Sequence, residues 1–314
     1  MQNRPDLIIL TGPTAAGKTD LSVRLAQMCG GEVISADSMQ VYRRMNIGTA
    51  KASREEMQGI PHHLIDICEP WEDYNVVRFR EQAKTAADEI RSRGHVPIVV
   101  GGTGFYIQAL LYDIDFEEEP EENTLRAELL KEAAEEGGAR RLHESLLAFD
   151  PDSYAAIPEG NVRRVVRAVE FYRNNGYPIS EHNRRMREKP AAFSSLYYVL
   201  TREREELYRR IDSRVDRMME QGLVGEVRGL LEEGIPRTAV SMQGLGYRQT
   251  ADYLAGEISL QEAQERIKTE TRHFAKRQLT WFRRERDVRW LNRSLVPADA
   301  LLTRILDEMN EAAT

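Results

Sequence analysis

The chain has 314 residues, 44 of them Lys or Arg against 51 Asp or Glu, giving a formal net charge of −7, with 41% hydrophobic positions and a mean hydropathy of −0.54. That length supports one large or two unequal folded domains and rules out disorder as a description of the whole chain. No apolar run approaches the roughly 18 residues that a membrane-spanning helix needs, which removes bilayer-spanning functions.

The first apolar run, residues 7–10, is too short for the hydrophobic region of a signal peptide and reads as a buried strand, so the protein is expected to stay in the cytosol. Directly after it stands Gly12-Pro13-Thr14-Ala15-Ala16-Gly17-Lys18-Thr19, which fits G-x-x-x-x-G-K-[ST] and opens a helical pattern. Strand, loop and helix together predict a phosphate-binding loop. Successive backbone N–H groups and a helix N-terminus cradle a diphosphate, Lys18 adds a point charge, and the Thr19 hydroxyl ligates Mg²⁺. The motif leaves open which diphosphate is held. Cys29 and Cys68 form no Cys-x-x-Cys pair and no zinc spacing, so they read as small buried hydrophobes of a reducing compartment.

Further strands are predicted at residues 33–36, 97–100, 196–200 and 288–291, separated mostly by helical patterns. That alternation argues a parallel sheet flanked by helices, an α/β fold of the P-loop NTPase-like kind. Asp37 follows the second of the five strands, near the carboxyl edge where ligands sit in such sheets, although by residue type alone Asp37 and Ser38 read as a helix cap or turn. His62 and His63 lie on an apolar segment with no third ligand and read as packed or capping residues rather than a metal site. A phosphoryl-transferring P-loop protein places an Asp at the end of a second apolar strand to hold Mg²⁺. Here the run 97–100 is followed by Gly101, Gly102, Thr103 and Gly104, so that acid is missing.

Residues 116–190 carry no strand signal and show amphipathic patterns at 125–136 and 162–173, so they read as an all-helical domain inserted into a core made of residues 1–115 and 191–314. Glu119-Pro120 and Lys189-Pro190 are its expected hinges. Charge is unevenly divided. Residues 113–138 hold eleven acids against Arg126 and Lys131, a net −9, whereas 161–190 carry +5 and 266–293 carry +7. Such segregation fits local binding of a polyanion, although charge runs on helices are commonly solvated faces. Two long core-facing helices are predicted at 205–222 and 261–286. On the first, a helix-surface ion pair with Asp212 or Glu220 is the ordinary alternative for Arg214; on the second, Trp281 and Phe282 fit base stacking or core packing.

Seven blocks in order, at residues 12–19, 37–43, 62–66, 100–106, 161–170, 243–248 and 275–283, resemble the bacterial tRNA dimethylallyltransferase family. The resemblance implies transfer of a dimethylallyl group from dimethylallyl diphosphate to the N6 amine of the adenine 3′-adjacent to the anticodon, with diphosphate released. It implies Asp37 as general base, Lys18 and Thr103 in catalysis, loop 12–19 with Arg214 on the diphosphate, and Mg²⁺ as cofactor. On the tRNA it implies Asp37, Ser38, Met39, Gln40, Thr103, Arg126, Asn161, Arg163, Arg164, Arg167, Gly246, Tyr247, Arg248, Lys276, Arg277 and Gln278, with the insertion domain gripping the anticodon stem-loop and the target base extruded into the pocket. No heptad seam appears, so a monomer is expected. Three other readings stay open here: a P-loop nucleotide or nucleoside kinase, dimethylallyl transfer to a free adenine nucleotide, and a non-catalytic RNA-binding module.

Overall fold

A computed structural model describes residues 5–114 and 124–312. The expected hinge at Glu119-Pro120 and the acids Asp115, Glu117, Glu118, Glu119, Glu121 and Glu122 lie outside the described residues. The chain divides into two compact units, Met1–Asp113 with Ala192–Thr314, and Ile114–Ala191.

The first unit is built on six parallel strands, β1 (Leu7–Thr11), β2 (Gly31–Ala36), β3 (His62–His63), β4 (Val96–Gly101), β5 (Ser195–Thr201) and β6 (Val288–Asn292), in the spatial order β3-β2-β4-β1-β5-β6. Every residue of β1 and β2 is buried, as expected of central strands covered on both faces. The helices in chain order are α1 (Lys18–Cys29), α2 (Arg54–Met57), α3 (Val76–Ser92), α4 (Gly104–Leu111), α5 (Thr124–Ala134), α6 (Gly138–Phe149), α7 (Pro151–Ala156), α8 (Val162–Asn175), α9 (Ile179–Glu188), α10 (Arg204–Glu220), α11 (Leu223–Glu232), α12 (Tyr247–Leu254), α13 (Leu260–Phe282) and α14 (Ala298–Ala312). On one face of the sheet Ile8, Leu10, Tyr198 and Leu200 pack against Leu21 and Leu25 of α1 and against Leu301 and Ile305 of α14. Full burial of each such aliphatic side chain contributes about 2 kcal/mol. Two of the long helices are capped by their own sequence: Asn75 accepts the Arg78 N–H at the start of α3, and Ser259 accepts the Glu262 N–H at the start of α13.

All five anticipated strands form. The two-residue edge strand β3 has no apolar run and was not legible. Its His63 lies against the buried Glu32 of β2 at 2.6 Å, and His62 bonds the Ile60 carbonyl at 2.8 Å, so both histidines pack as expected and neither joins a metal cluster among the described residues. The helix anticipated at 205–222 stops at Glu220, because Gly222 adopts φ 100° and starts α11.

The second unit consists of α5 to α9 around Leu129, Leu142, Leu146, Val165, Val166 and Val169. Its buried Asp150 caps α7 by accepting the Ser153 N–H at 3.0 Å and also accepts the Ser180 N–H at 3.1 Å. One carboxylate thus ties α7 to the start of α9.

Candidate active site

Three loops leave the carboxyl edges of adjacent strands and line one cavity of about 1200 Å³ within the first unit: residues 12–17 after β1, residues 37–40 after β2, and residues 102–103 after β4. This edge is where an open α/β sheet presents its ligand site. The β1 loop turns sharply at Gly12, φ 141°, where a Cβ would come within 2.3 Å of the Leu200 carbonyl oxygen, so only glycine fits. Gly17, φ 97°, then opens α1, whose first turn carries Lys18 and Thr19.

Cations surround this loop. The Lys18 amine donates to the Gly12 and Pro13 carbonyls, both at 2.9 Å, in the place a phosphate would claim it. Burial and the neighbouring Arg214 pull the Lys18 amine down to about 8, with Asp37 acting in the opposite direction. Arg214 donates to the Thr14 hydroxyl at 3.0 Å; burial first, then Arg217, depress its pKa. Arg214 is not paired with Asp212, which lies two positions away around the helix and is held instead by Arg272 of α13 at 2.7 Å. Two arginines not anticipated from sequence complete the cradle: Arg210 donates to the Ala15 carbonyl at 3.0 Å and Arg202 to the Ala16 carbonyl at 3.1 Å. Nothing in their local sequence marks them, since the contact spans more than 180 residues.

Across the cavity, one Asp37 oxygen accepts the Met39 N–H at 2.9 Å, the turn that residue type alone suggested. That bond fixes the carboxylate on the cavity wall with Ser38, Met39 and Gln40 beside it. Thr103 is tied to the same turn, its hydroxyl accepting the Ser38 N–H at 3.2 Å and its own N–H bonding the Ala36 carbonyl at 3.2 Å. The wall beyond residue 40 is shaped by Glu226, which sequence reading missed. Its carboxylate accepts the N–H groups of Asn46, Ile47 and Gly48 at 2.8, 2.8 and 3.1 Å, and the Tyr247 hydroxyl at 2.6 Å.

Of the residues expected on RNA, Asp37, Ser38, Met39, Gln40, Thr103, Arg248, Arg277 and Gln278 line this cavity. Gln278 is nonetheless buried, bridging the Thr14 N–H and the Gly102 carbonyl at 3.0 and 2.9 Å. Arg248 pairs with Glu270 at 2.6 Å. Gly246 and Tyr247 are buried; the tyrosine also lines the cavity, with its hydroxyl committed to Glu226, whereas Gly246 shapes the wall from behind. Lys276 faces away, into a separate cavity of about 640 Å³ with Arg202, Tyr208 and Trp290; one step along α13 from Arg277 turns a side chain by about 100°. In the second unit Asn161, Arg163 and Arg164 are exposed at the start of α8, whereas Arg126 and Arg167 both pair with the fully buried Glu170, at 2.9 and 3.2 Å. Phe282 is core, and Trp281 packs against Gly104 and edge-on to Phe105.

An all-parallel, helix-covered sheet with a glycine-lysine loop after its first strand defines an α/β protein of the P-loop class. The profile of the IPP transferase family matches residues 40–285, and that of isopentenyl transferase matches residues 5–68; the chain belongs to the IPP transferase family. It is 52% identical over 306 residues, 97% of either chain, to the tRNA dimethylallyltransferase of Lachnoclostridium phytofermentans, and 47% identical over 286 residues to that of Geobacillus thermodenitrificans, covering 91% of this chain and 90% of the relative. Its structure resembles the tRNA isopentenylpyrophosphate transferase of Bacillus halodurans, with TM-score 0.74 and 41% identity over 98% of this chain and 96% of that one. It also resembles a eukaryotic dimethylallyltransferase solved acting on tRNA, with TM-score 0.79 and 31% identity over 96% of this chain and 77% of that one.

Proposed function

We infer that this protein is a tRNA dimethylallyltransferase. The carrying observation is the composition of one cavity: a P-loop with Lys18, Arg210 and Arg214 on one side, the Asp37 carboxylate on another, and Gly102-Thr103 where a phosphoryl-transfer enzyme keeps an acid. This set suits a reaction in which diphosphate leaves and a nucleobase amine is alkylated. The adenine N6 lone pair attacks the allylic carbon of dimethylallyl diphosphate, the C–O bond breaks, the electron pair departs on the diphosphate, and Asp37 takes the N6 proton. An adenine amine is a weak nucleophile because its lone pair is delocalised into the ring, so a proton acceptor assists bond formation. Lys18, Arg214 and the loop N–H groups stabilise the charge that develops on the leaving group, and Thr103 adds a hydroxyl beside it.

Mg²⁺ fits the residues present. Thr19 lines the cavity beside Lys18, and Mg²⁺ at such a loop takes most of its ligands from phosphate and water. Thr19 would hold it, and its charge would offset that of the departing diphosphate. The exposed Asn161, Arg163 and Arg164, with Gln40, Arg248 and Arg277 at the cavity, are the RNA contacts this reading uses; base extrusion brings the adenine to Asp37.

The reading is tested by incubating the protein with radiolabelled dimethylallyl diphosphate and an anticodon stem-loop, with AMP as competitor. Label on the stem-loop adenine that excess AMP does not abolish is expected. Label on AMP in preference, or γ-phosphoryl transfer from ATP, would overturn it.

A further inference from the structure

The cradle and the carboxylate belong to loops from different strands, and their separation depends on what joins those loops. One side chain ties the cradle to the loop after β4, which in turn holds the turn at Asp37. Gln278, on α13 and 6% exposed, accepts the Thr14 N–H of the cradle on Oε1 at 3.0 Å and donates from Nε2 to the Gly102 carbonyl at 2.9 Å. The fit is tight on the Gly102 side: a Cβ there would lie 2.2 Å from Nε2, so only glycine lets the amide reach the loop. From Gly102 the backbone passes to Thr103, whose hydroxyl accepts the N–H of Ser38 beside Asp37 at 3.2 Å. From Thr14 the hydroxyl accepts Arg214 at 3.0 Å. A hydrogen-bonded path therefore runs from the cations of the cradle to the turn that holds the carboxylate, with the Gln278 carboxamide at its centre.

We propose that Gln278 is a positioning residue that sets the spacing between the diphosphate cradle and Asp37, keeping the leaving group and the proton acceptor aligned across one reacting pair. The inference rests on the dimethylallyl-transfer reading, and differs from the RNA-contact role that resemblance suggested for this residue. Alignment of this kind is worth large factors in rate, since small displacements of reacting groups are costly. A buried carboxamide bonded at both ends resists rotation, because turning it strands two polar groups.

Gln278→Met keeps the volume and removes both hydrogen bonds. It is expected to raise the Kd of inorganic diphosphate about tenfold and lower kcat about tenfold or more, with stem-loop Kd held within about twofold. Gly102→Ala, whose Cβ displaces the amide, is expected to show the same pattern, and the double variant to be no worse than the weaker single. Gln278→Glu still accepts the Thr14 N–H but sets a carboxylate against the Gly102 carbonyl. Protonation restores the donor, so its kcat relative to the unaltered enzyme should rise as pH falls. The inference is overturned by lost RNA affinity with unchanged diphosphate affinity, by additive effects in the double variant, by a pH-independent Gln278→Glu ratio, or by wild-type kinetics. Should circular dichroism show Gln278→Met unfolded, Gly102→Ala and Gln278→Glu decide. Absence of product from the unaltered enzyme would instead sink the transferase reading and leave the diphosphate Kd comparison standing.

Discussion

Asp37 is held in place by the Met39 N–H at 2.9 Å, a bond that orients the carboxylate without consuming its charge. Replacing Asp37 by Asn keeps the shape and removes the proposed proton acceptor. Turnover is expected to fall by about 10² or more while stem-loop Kd stays within about twofold; equal losses in both would show that Asp37 positions RNA rather than taking a proton. Lys18 supplies a second prediction. Burial pulls its amine down to about 8, so above that pH the charge proposed to attract diphosphate is lost. Inorganic diphosphate affinity should weaken as pH rises through about 8, and binding near that pH should take up a proton, because the polyanionic ligand restores the amine's charge. Calorimetry in buffers of different ionisation enthalpy measures the uptake, and none would contradict the assignment. In the sequence Lys18 stands out through the loop motif, whereas Asp37 reads as a cap or turn by residue type and gains its proposed role only through the family resemblance of the block 37–43. Arg202, Arg210 and Glu226 do not stand out, because their meaning comes from partners far away in the chain.

At the scale of elements, the short segment after β2 is shaped by α11. Glu226 gives three backbone N–H groups and one phenol a common acceptor, where no regular ladder is available. Glu226→Ala strands these donors and should cost about 3 kcal/mol, read as a lower urea midpoint. The Gln40 contact to the Thr49 carbonyl at 3.3 Å lies in the same segment, so stem-loop affinity should fall with it. A stability loss below about 0.5 kcal/mol would refute the anchoring role. On the outer side of β2, Glu32 illustrates how strand pairing creates an electrostatic site. Burial alone would raise its pKa, but hydrogen bonds from Arg93, His63 and His95 outweigh that and hold it at about 2. The sign follows directly: stability from this carboxylate is full above its ordinary value of 4.5 and is lost as pH falls through about 2. Glu32→Gln should flatten the acid limb of stability over that interval, and an unchanged limb would show that other carboxylates dominate it.

For the whole molecule, the arginines of the helical unit fall into two groups that composition cannot separate. Arg126 and Arg167 neutralise Glu170, whose side chain is 0% exposed, whereas Arg163 and Arg164 face solvent. Truncating Arg163 and Arg164 to Ala should weaken stem-loop binding and reduce the slope of log K against log salt by about 1.4 to 1.8, the contribution of two phosphate contacts. Arg126→Ala should instead leave that slope unchanged and destabilise the unit by about 3 kcal/mol, since it leaves the buried Glu170 carboxylate only partly neutralised. A slope change for Arg126 equal to that of the exposed pair would merge the two groups again. The same distinction explains Lys276 and Arg277, adjacent in sequence yet lining different cavities.

The amino-acid sequence by itself determined what is local. Apolar runs of four or five residues read as buried strands because a central parallel strand has no polar face, and a Gly-rich loop between strand and helix has few backbone solutions. Tertiary structure alone decided the order β3-β2-β4-β1-β5-β6 and everything that follows from it. That order sets β2 beside β4, and so brings Asp37 to Thr103 although they are 66 positions apart. It also decided which charges are spent inside the protein and which remain for a ligand. A side chain's pattern shows what it can bond, but its partner is chosen by the packing of elements distant in sequence, where burial makes every unpaired polar group costly.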